Sequence, residues 1–341
     1  MKNGASTPLK KLIPKDIYFT RLLILFALSF MVLAIFRPDR FLSFPIFQSM
    51  SFQFPQFGLM ALGIALTMIA GGIDLSTVGV ANLSAIVAAK VLINLTYYTN
   101  ATGTVGTMAV AIAAALLVGI VAGIINGVLI SVVGIPPILA TLGSMQMFRG
   151  IAIVLTGGST VSGLPTLWSD AINTTMFNLI PLPLLIFVMM AVLVYILLNK
   201  MSYGKKLYMV GTNTKAATFS GLKVKLIQVQ TYAISGILAA TAGLVMMGRM
   251  NSARADAGLQ YTLQCILVVV LAGVNPKGGS GKVGSVVLSI LLLQLLSTGL
   301  NLFPAINNFY RSLIWGGVLL LALAINHLVY LKPQRVGISK S

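Results

Sequence analysis

Lys200 to Lys225 reads KMSYGKKLYMVGTNTKAATFSGLKVK, the longest polar interval in an otherwise apolar chain. Lys200, Lys205, Lys206, Lys215, Lys223 and Lys225 put six positive charges in it, and no acid balances them. Gly211-Thr212-Asn213 leads into a run from Thr214 to Ser220 that stops at Gly221, the pattern of one short capped helix. Thr212 or Asn213 can accept from the free N–H groups, and Gly221 suits the left-handed position after the last turn. A helix of about two turns is unstable alone in water, so it must pack on something. Its small residues, Ala216, Ala217 and Ser220, allow close approach of another surface, and Ala217 is expected on the docking face. Charge and capping leave two readings open: a short helix docked on a cytoplasmic partner, or a solvated connection between helices.

Composition settles the class around this stretch. Of 341 residues, 57% are hydrophobic and only 8% are charged, whereas a soluble chain carries about 25% charged residues. There is no Glu and there are five Asp against 23 Lys and Arg, a formal charge of +18. The basic residues sit between long apolar runs and form no aromatic-lined stripe, so they read as topology determinants and exclude a nucleic-acid partner. Cys265, the one cysteine, lies in an apolar run and reads as a buried small hydrophobe. His327 is the one histidine, and the sequence supplies it with no ligand partners, so no metal or cofactor is expected.

Windows of about 20 apolar residues predict membrane-spanning helices. They fall at about 20–37, 55–73, 78–96, 105–132, 137–156, 179–199, 226–247, 259–274, 283–302 and 309–331. The fold expected is an all-α membrane protein of about ten transmembrane helices, some broken, forming one transmembrane domain over 1–341. The basic N-terminal tail before Leu22 to Phe36 lacks a small-residue cleavage site and reads as part of a retained first span. With both termini and the 200–225 loop in the cytoplasm, 16 basic residues lie inside and five outside, as positive-inside topology requires. Pro136-Pro137 and Gly157-Gly158 frame a span expected to be broken or short, and discontinuous helices are common places for solute sites. Val78-Gly79…Leu83-Ser84 and Val283-Gly284…Leu288-Ser289, each after an Ala-Gly element, hint at an internal repeat.

The candidate sites are few. Residues 278–285, GGSGKVGS, fail the phosphate-loop pattern because Pro276 stands at the first Gly and Val283 at the Ser/Thr. Acids and histidine are too scarce for catalysis, so the chain is not expected to be an enzyme. Asp74 ends the second span, where it serves either to cap the next helix or to gate a path. Arg149 lies within the fifth span and either snorkels, pairs with carbonyls or faces the pathway. Asn82, Asn126, Thr141 and Gln146 are polar within spans, where they either hold helices together or line a route for a hydroxylated solute.

Several stretches then fall into a known order: Leu62–Ser76 (LGIALTMIAGGIDLS), Asn126–Gly150 (NGVLISVVGIPPILATLGSMQMFRG), Leu155–Pro165, Gly211–Gly221 and Leu271–Gly284. Together they resemble the ribose/monosaccharide-type permeases of bacterial ATP-binding-cassette importers, over about 55–325. The resemblance implies a multi-pass plasma-membrane subunit paired with a second permease, identical or homologous. It implies two cytoplasmic ATP-binding subunits, a periplasmic or lipid-anchored sugar-binding protein, and contact with membrane lipid. It places Gly211, Asn213, Ala216, Ala217, Ser220 and Gly221 in the loop that engages the ATPase. Asp74, Asn82, Asn126, Thr141, Gln146 and Arg149 remain candidates for the path or its gate. Three positions depart from the family pattern: Thr77 is an extra residue, Thr262 stands between Tyr261 and Leu263, and Lys215 replaces an acid. The function implied is the path for a monosaccharide or sugar-like solute. The alternatives are an ion-coupled secondary transporter, or the same importer type carrying a nucleoside or a signal molecule.

Overall fold

The computed structural model describes residues 17–99, 104–176 and 179–302, with 310, 313, 314, 316, 317 and 320. The tenth apolar window, both tails, Arg311 and His327 lie outside the described residues. Thirteen α-helices are described, and eight of them are long and apolar enough to cross a membrane. They are α1 (Ile17–Phe36), α3 (Phe44–Ile69), α4 (Thr77–Thr99), α5 (Val105–Val128, extended by a π-turn to Val133), α6 (Pro137–Thr156), α8 (Leu182–Asn199), α11 (Val224–Met250) and α13 (Val283–Asn301). The short helices are α2 (Pro38–Phe41), α7 (Thr166–Asn173), α9 (Ser202–Thr212), α10 (Thr214–Phe219) and α12 (Tyr261–Leu271). One two-stranded ribbon, β1 (Thr175–Met176) with β2 (Ile180–Pro181), precedes α8.

Helix α11 is the axis of the bundle. Gly119, Gly123 and Gly127 form a strip down α5, and each is pressed against its backbone. A Cβ at Gly127 would stand 2.6 Å from Val229 Cα, and those at Gly119 and Gly123 would meet the carbonyls of Gly236 and Tyr232. Small residues four apart let two helices approach at backbone distance, which strengthens packing where lipid offers no hydrophobic drive.

The helices end alike. Gly71, Gly157, Gly221 and Gly273 each take a positive φ directly after a helix. At each, the next N–H reaches back five residues, as in Gly72 N to Thr67 O (2.9 Å), Gly158 N to Ile153 O (3.1 Å), Leu222 N to Ala217 O (3.1 Å) and Val274 N to Val269 O (3.2 Å). This is the glycine-capped stop that satisfies the last carbonyls of a helix. Ala70-Gly71 and Ala272-Gly273 both show it, as do Gly157 and Gly221, so this stop does not set the two suspected repeat halves apart.

The two ends of the bundle differ in charge. At one end the termini of α3, α8 and α12 meet α9, α10 and the start of α13, with Lys200, Lys205, Lys206, Lys215, Lys223, Lys277 and Lys282. At the other, Val161 and Ala253 exchange two backbone bonds of 2.9 Å, and Asn173 Nδ2 reaches Gly248 O (3.3 Å). That end carries Arg37, Arg40, Arg149, Arg249 and Arg254. We call these the lysine end and the arginine end; Arg21 near the lysine end and Lys90 within α4 fall outside the division.

Two expectations need correction. The apolar window at 259–274 is no full span: α12 has 11 residues, about 17 Å, half of a bilayer core. Residues 251–260 are irregular instead, because Asn251 (φ 48°) closes α11 and the loop folds back to meet Asn82. The span framed by Pro136-Pro137 and Gly157-Gly158 is a continuous helix, and the breaks lie before it at 134–136 and, elsewhere, at 70–76. Proline is tolerated in the first turn because the N–H it lacks would have had no helical partner.

Candidate functional site

The segment Ala70–Ser76 is irregular backbone that runs from exposed Gly71 into the bundle, where its buried polar groups need partners from other helices. Asp74 is 2% exposed. Its Oδ1 accepts from Ser76 N (3.0 Å) and Ser76 Oγ (2.6 Å), and its Oδ2 accepts from Ser235 Oγ on α11 (2.8 Å). Ser76 Oγ in turn accepts from Asn126 Nδ2 on α5 (2.7 Å). Thr141 Oγ1 on α6 donates toward Ile73 O (3.1 Å) and Pro137 O (2.8 Å). Asp74 therefore acts two residues ahead of the cap of α4 through an Asx-turn, and Ser76, whose carbonyl accepts from Val80 N (2.9 Å), occupies the cap position. One carboxylate ties α4 to α11 and, through Ser76, to α5. Tyr232 Oη, against which Gly72 is packed, and Asn126 Oδ1 are buried with no hydrogen-bond partner among the described residues.

The remaining candidates lie elsewhere. Asn82 on α4 donates to Ala255 O (3.1 Å) and Ala257 O (2.9 Å), so it pins the irregular loop after α11. Arg149 is half-buried on α6 near that loop. There the guanidinium of Arg254 grips Asp256 through bonds of 3.0 and 2.9 Å and holds its carboxyl below the usual carboxylate range, with a smaller contribution from the charge of Arg149. Gln146 is exposed on α6 and joins neither cluster; Gly143 and Gly150 beside it have open space where a side chain would stand.

At the lysine end the short helix forms as its sequence predicts. Asn213 Oδ1 accepts from Ala216 N (3.0 Å), and Gly221 ends the helix at φ 78°. Its orientation overturns one expectation: Ala217 is 5% exposed and turned into the protein's own core, because α10 needs an apolar contact to stand on α9 and α11. Phe219 is 92% exposed, with Thr214, Lys215, Ala216 and Thr218 also on the open side. Sequence reasoning passed over Phe219; the signal was a lone aromatic among small polar residues.

Three glycine-bearing segments interlock beneath this helix. Gly211 at the end of α9 lies against Ile69 O, and a Cβ on it would stand 2.6 Å from Gly279 N. Gly279 N donates to Ile69 O (2.9 Å), and a Cβ at Gly278 would stand 2.6 Å from Gly211 O. Tyr208 Oη donates to Gly281 O (2.8 Å). The glycines of the phosphate-loop-like stretch are thus packed on the end of α3 and on α9. On α9, burial pushes the Tyr203 phenol up to about 12, and its Oη shares a 2.7 Å hydrogen bond with Thr231 Oγ1.

The fold and the polar hub define a multi-pass membrane permease. Residues 46–323 match the family model for the permease component of branched-chain amino acid transport systems, and the chain belongs to that family. It is 35% identical to the ribose import permease protein RbsC of Bacillus subtilis (strain 168) over 271 residues, 79% of this chain and 80% of that protein. It is 30% identical to the autoinducer 2 import system permease protein LsrD of Yersinia enterocolitica over 294 residues, 82% of this chain and 84% of the relative. LsrD of Yersinia pestis (strain Pestoides F) is likewise 30% identical, over 291 residues. No solved structure matches the chain.

Proposed function

We propose that this chain is the permease subunit of an ATP-driven importer, forming the path for a monosaccharide or a sugar-like signal molecule. The ribose and autoinducer-2 permeases support that solute class over the amino acids in the family's description, since they align over about four-fifths of the chain. The lysine end faces the cytoplasm, as the positive-inside bias favours. There a partner ATP-binding subunit receives α10, with Phe219 as the anchor; exposed aromatics seated in a partner's pocket commonly dominate an interface. At the arginine end a binding protein delivers the solute, and a second permease completes the path.

The observation that carries the mechanism is the glycine junction. Gly211 leaves no side-chain cushion between the end of α9 and Ile69, one residue before the Ala70–Ser76 break. A push on α9 and α10 therefore moves the backbone that holds Asp74. In this reading Asp74, Asn126 and Thr141 position the gate, Asn82 holds the outer loop, and Gln146 on the open side of α6 and half-buried Arg149 line the path. A polar side chain on a lipid-facing surface is unfavourable, which supports water or a second permease against Gln146.

The test is reconstitution with the partner ATP-binding subunits and binding protein. Phe219→Ala should abolish co-purification of the ATPase and reduce ATP-driven sugar uptake at least tenfold, with membrane abundance unchanged. Normal ATPase binding by this variant would refute the docking face. Uptake driven by an ion gradient without any ATPase would replace the proposal with a secondary transporter.

A further inference from the structure

A cleft of about 810 Å³ opens at the lysine end between the end of α8, the start of α9 and the first turns of α11. It lies apart from the Asp74 hub and borders the end of α10 at Gly221 and Leu222. Its wall is mostly apolar and comes from helices long enough to cross a membrane: Leu197 on α8, with Leu226 and Ile234 on α11 and the amide of Gln230 between them. Its rim carries Lys206 and Lys223. Neither lysine makes an ion pair among the described residues, where Arg254–Asp256 is the one salt bridge found. The whole 200–225 stretch contains no acid to neutralise them. Leu226 and Met201, at the cleft, are each 50% exposed.

Two unpaired cations above an apolar slot at the boundary of a bilayer fit one kind of molecule. We propose that the cleft is a binding site for an anionic phospholipid, with its phosphate between Lys206 and Lys223 and an acyl chain along Leu197, Leu226 and Ile234. The charge selects an anionic headgroup, because juxtamembrane lysines attract anionic lipid and basic pockets between transmembrane helices hold such headgroups. The apolar wall distinguishes the site from a patch that would take any soluble anion: free phosphate gains nothing from Leu197 or Ile234. The cleft lies between α8 and the two elements that carry the short helix, so a lipid in it would brace α9 and α11. The site does not depend on which solute the permease carries.

Native mass spectrometry of the full chain, exchanged into an equimolar mixture of phosphatidylglycerol and phosphatidylcholine, tests this. The wild type should retain phosphatidylglycerol over phosphatidylcholine by about thirtyfold, the factor two lysines supply at a membrane surface. Lys206→Gln with Lys223→Gln should bring the two lipids to parity, and Lys215→Gln, on the open side of α10, should leave the preference intact. Leu226→Trp, which crowds the apolar wall and keeps both charges, should lower retention of both lipids. Equal retention of the two lipids by the wild type would overturn the proposal, as would a full preference in the double variant. Added inorganic phosphate that displaces the bound lipid would reassign the rim to soluble anions. A lipid-free dimer that dissociates in the double variant would assign the cleft to a second copy. Loss of ATPase co-purification in the double variant with lipid preference unchanged would assign it to the ATPase.

Discussion

Two of the irregular segments that interrupt this bundle are held in opposite ways. Ala70–Ser76 is sealed beyond Gly71: Asp74 and Ser76 are buried, and donors from α5, α6 and α11 converge on the segment. Residues 251–260 are held at few points, by Asn82 from within and by the Val161–Ala253 bridge at the rim. Arg254 and Asp256 stay about half exposed, paired with each other across 2.9 Å. Backbone at membrane depth survives only where protein or a water-filled cavity satisfies it. The first segment meets that demand with side chains and has little freedom; the second meets it partly with solvent and is the easier to move.

The comparison breaks most readily at the glycine junction. Gly211→Ala should destabilise the protein by about 3 kcal/mol, because the new Cβ meets backbone, which cannot swing aside as a side chain does. Membrane abundance and thermal stability should fall together; near-normal values would mean that the junction yields and transmits nothing. Asp74→Ala comes next, at about 2–3 kcal/mol, since it strands Ser235 Oγ and Ser76 N in the interior. Asp74→Asn should lose only about 1 kcal/mol, because Asn retains an acceptor for the Ser76 amide and its Nδ2 can donate to Ser235 Oγ. Thermal unfolding of the two variants in detergent separates them; equal losses would show that the negative charge matters and the hydrogen bonds do not. Asn82→Ala should have an effect of similar size, about 1 kcal/mol, confined to the second segment. Amide exchange should quicken over 251–260 and stay slow over 70–76; faster exchange in both segments would show that they open together.

Much of this was legible from residue order. The apolar windows at 137–156 and 283–302 became α6 and α13, because Pro at the start and Gly after the end punctuate the first and Lys282 precedes the second. Helix α10 followed from Asn213 and Gly221 alone. Helix α3 begins near Phe44 rather than at about 55, because Gln48, Ser49, Ser51 and Gln53 dilute the hydropathy of turns that are helical all the same. The half-length of α12 was hidden: an apolar window does not say how much of itself is helix. Nor could residue order reveal that Asn82 bonds to carbonyls 173 and 175 positions away. The strip Gly119-Gly123-Gly127 was there to be read at four-residue spacing, and it names the face of α5 that meets α11. Candidate site residues divided on the same line. Local roles such as the Asx-turn of Asp74 were foreseeable, whereas the inward turn of Ala217 depends on how α10 sits on its neighbours.

The account rests on the sidedness of the two ends, and thiol labelling reads that directly. Cys265 is buried and donates from Sγ to Phe57 O (3.2 Å), so Cys265→Ser keeps a donor there and clears the background. Phe219→Cys and Arg254→Cys, each in that background, place one reactive group at each end. With an impermeant maleimide on intact cells, the account predicts rapid labelling of Arg254→Cys and labelling of Phe219→Cys only after the membrane is permeabilised. Labelling of Phe219→Cys from outside, with Arg254→Cys protected, would invert the molecule and contradict the assignment of the lysine end to the ATPase.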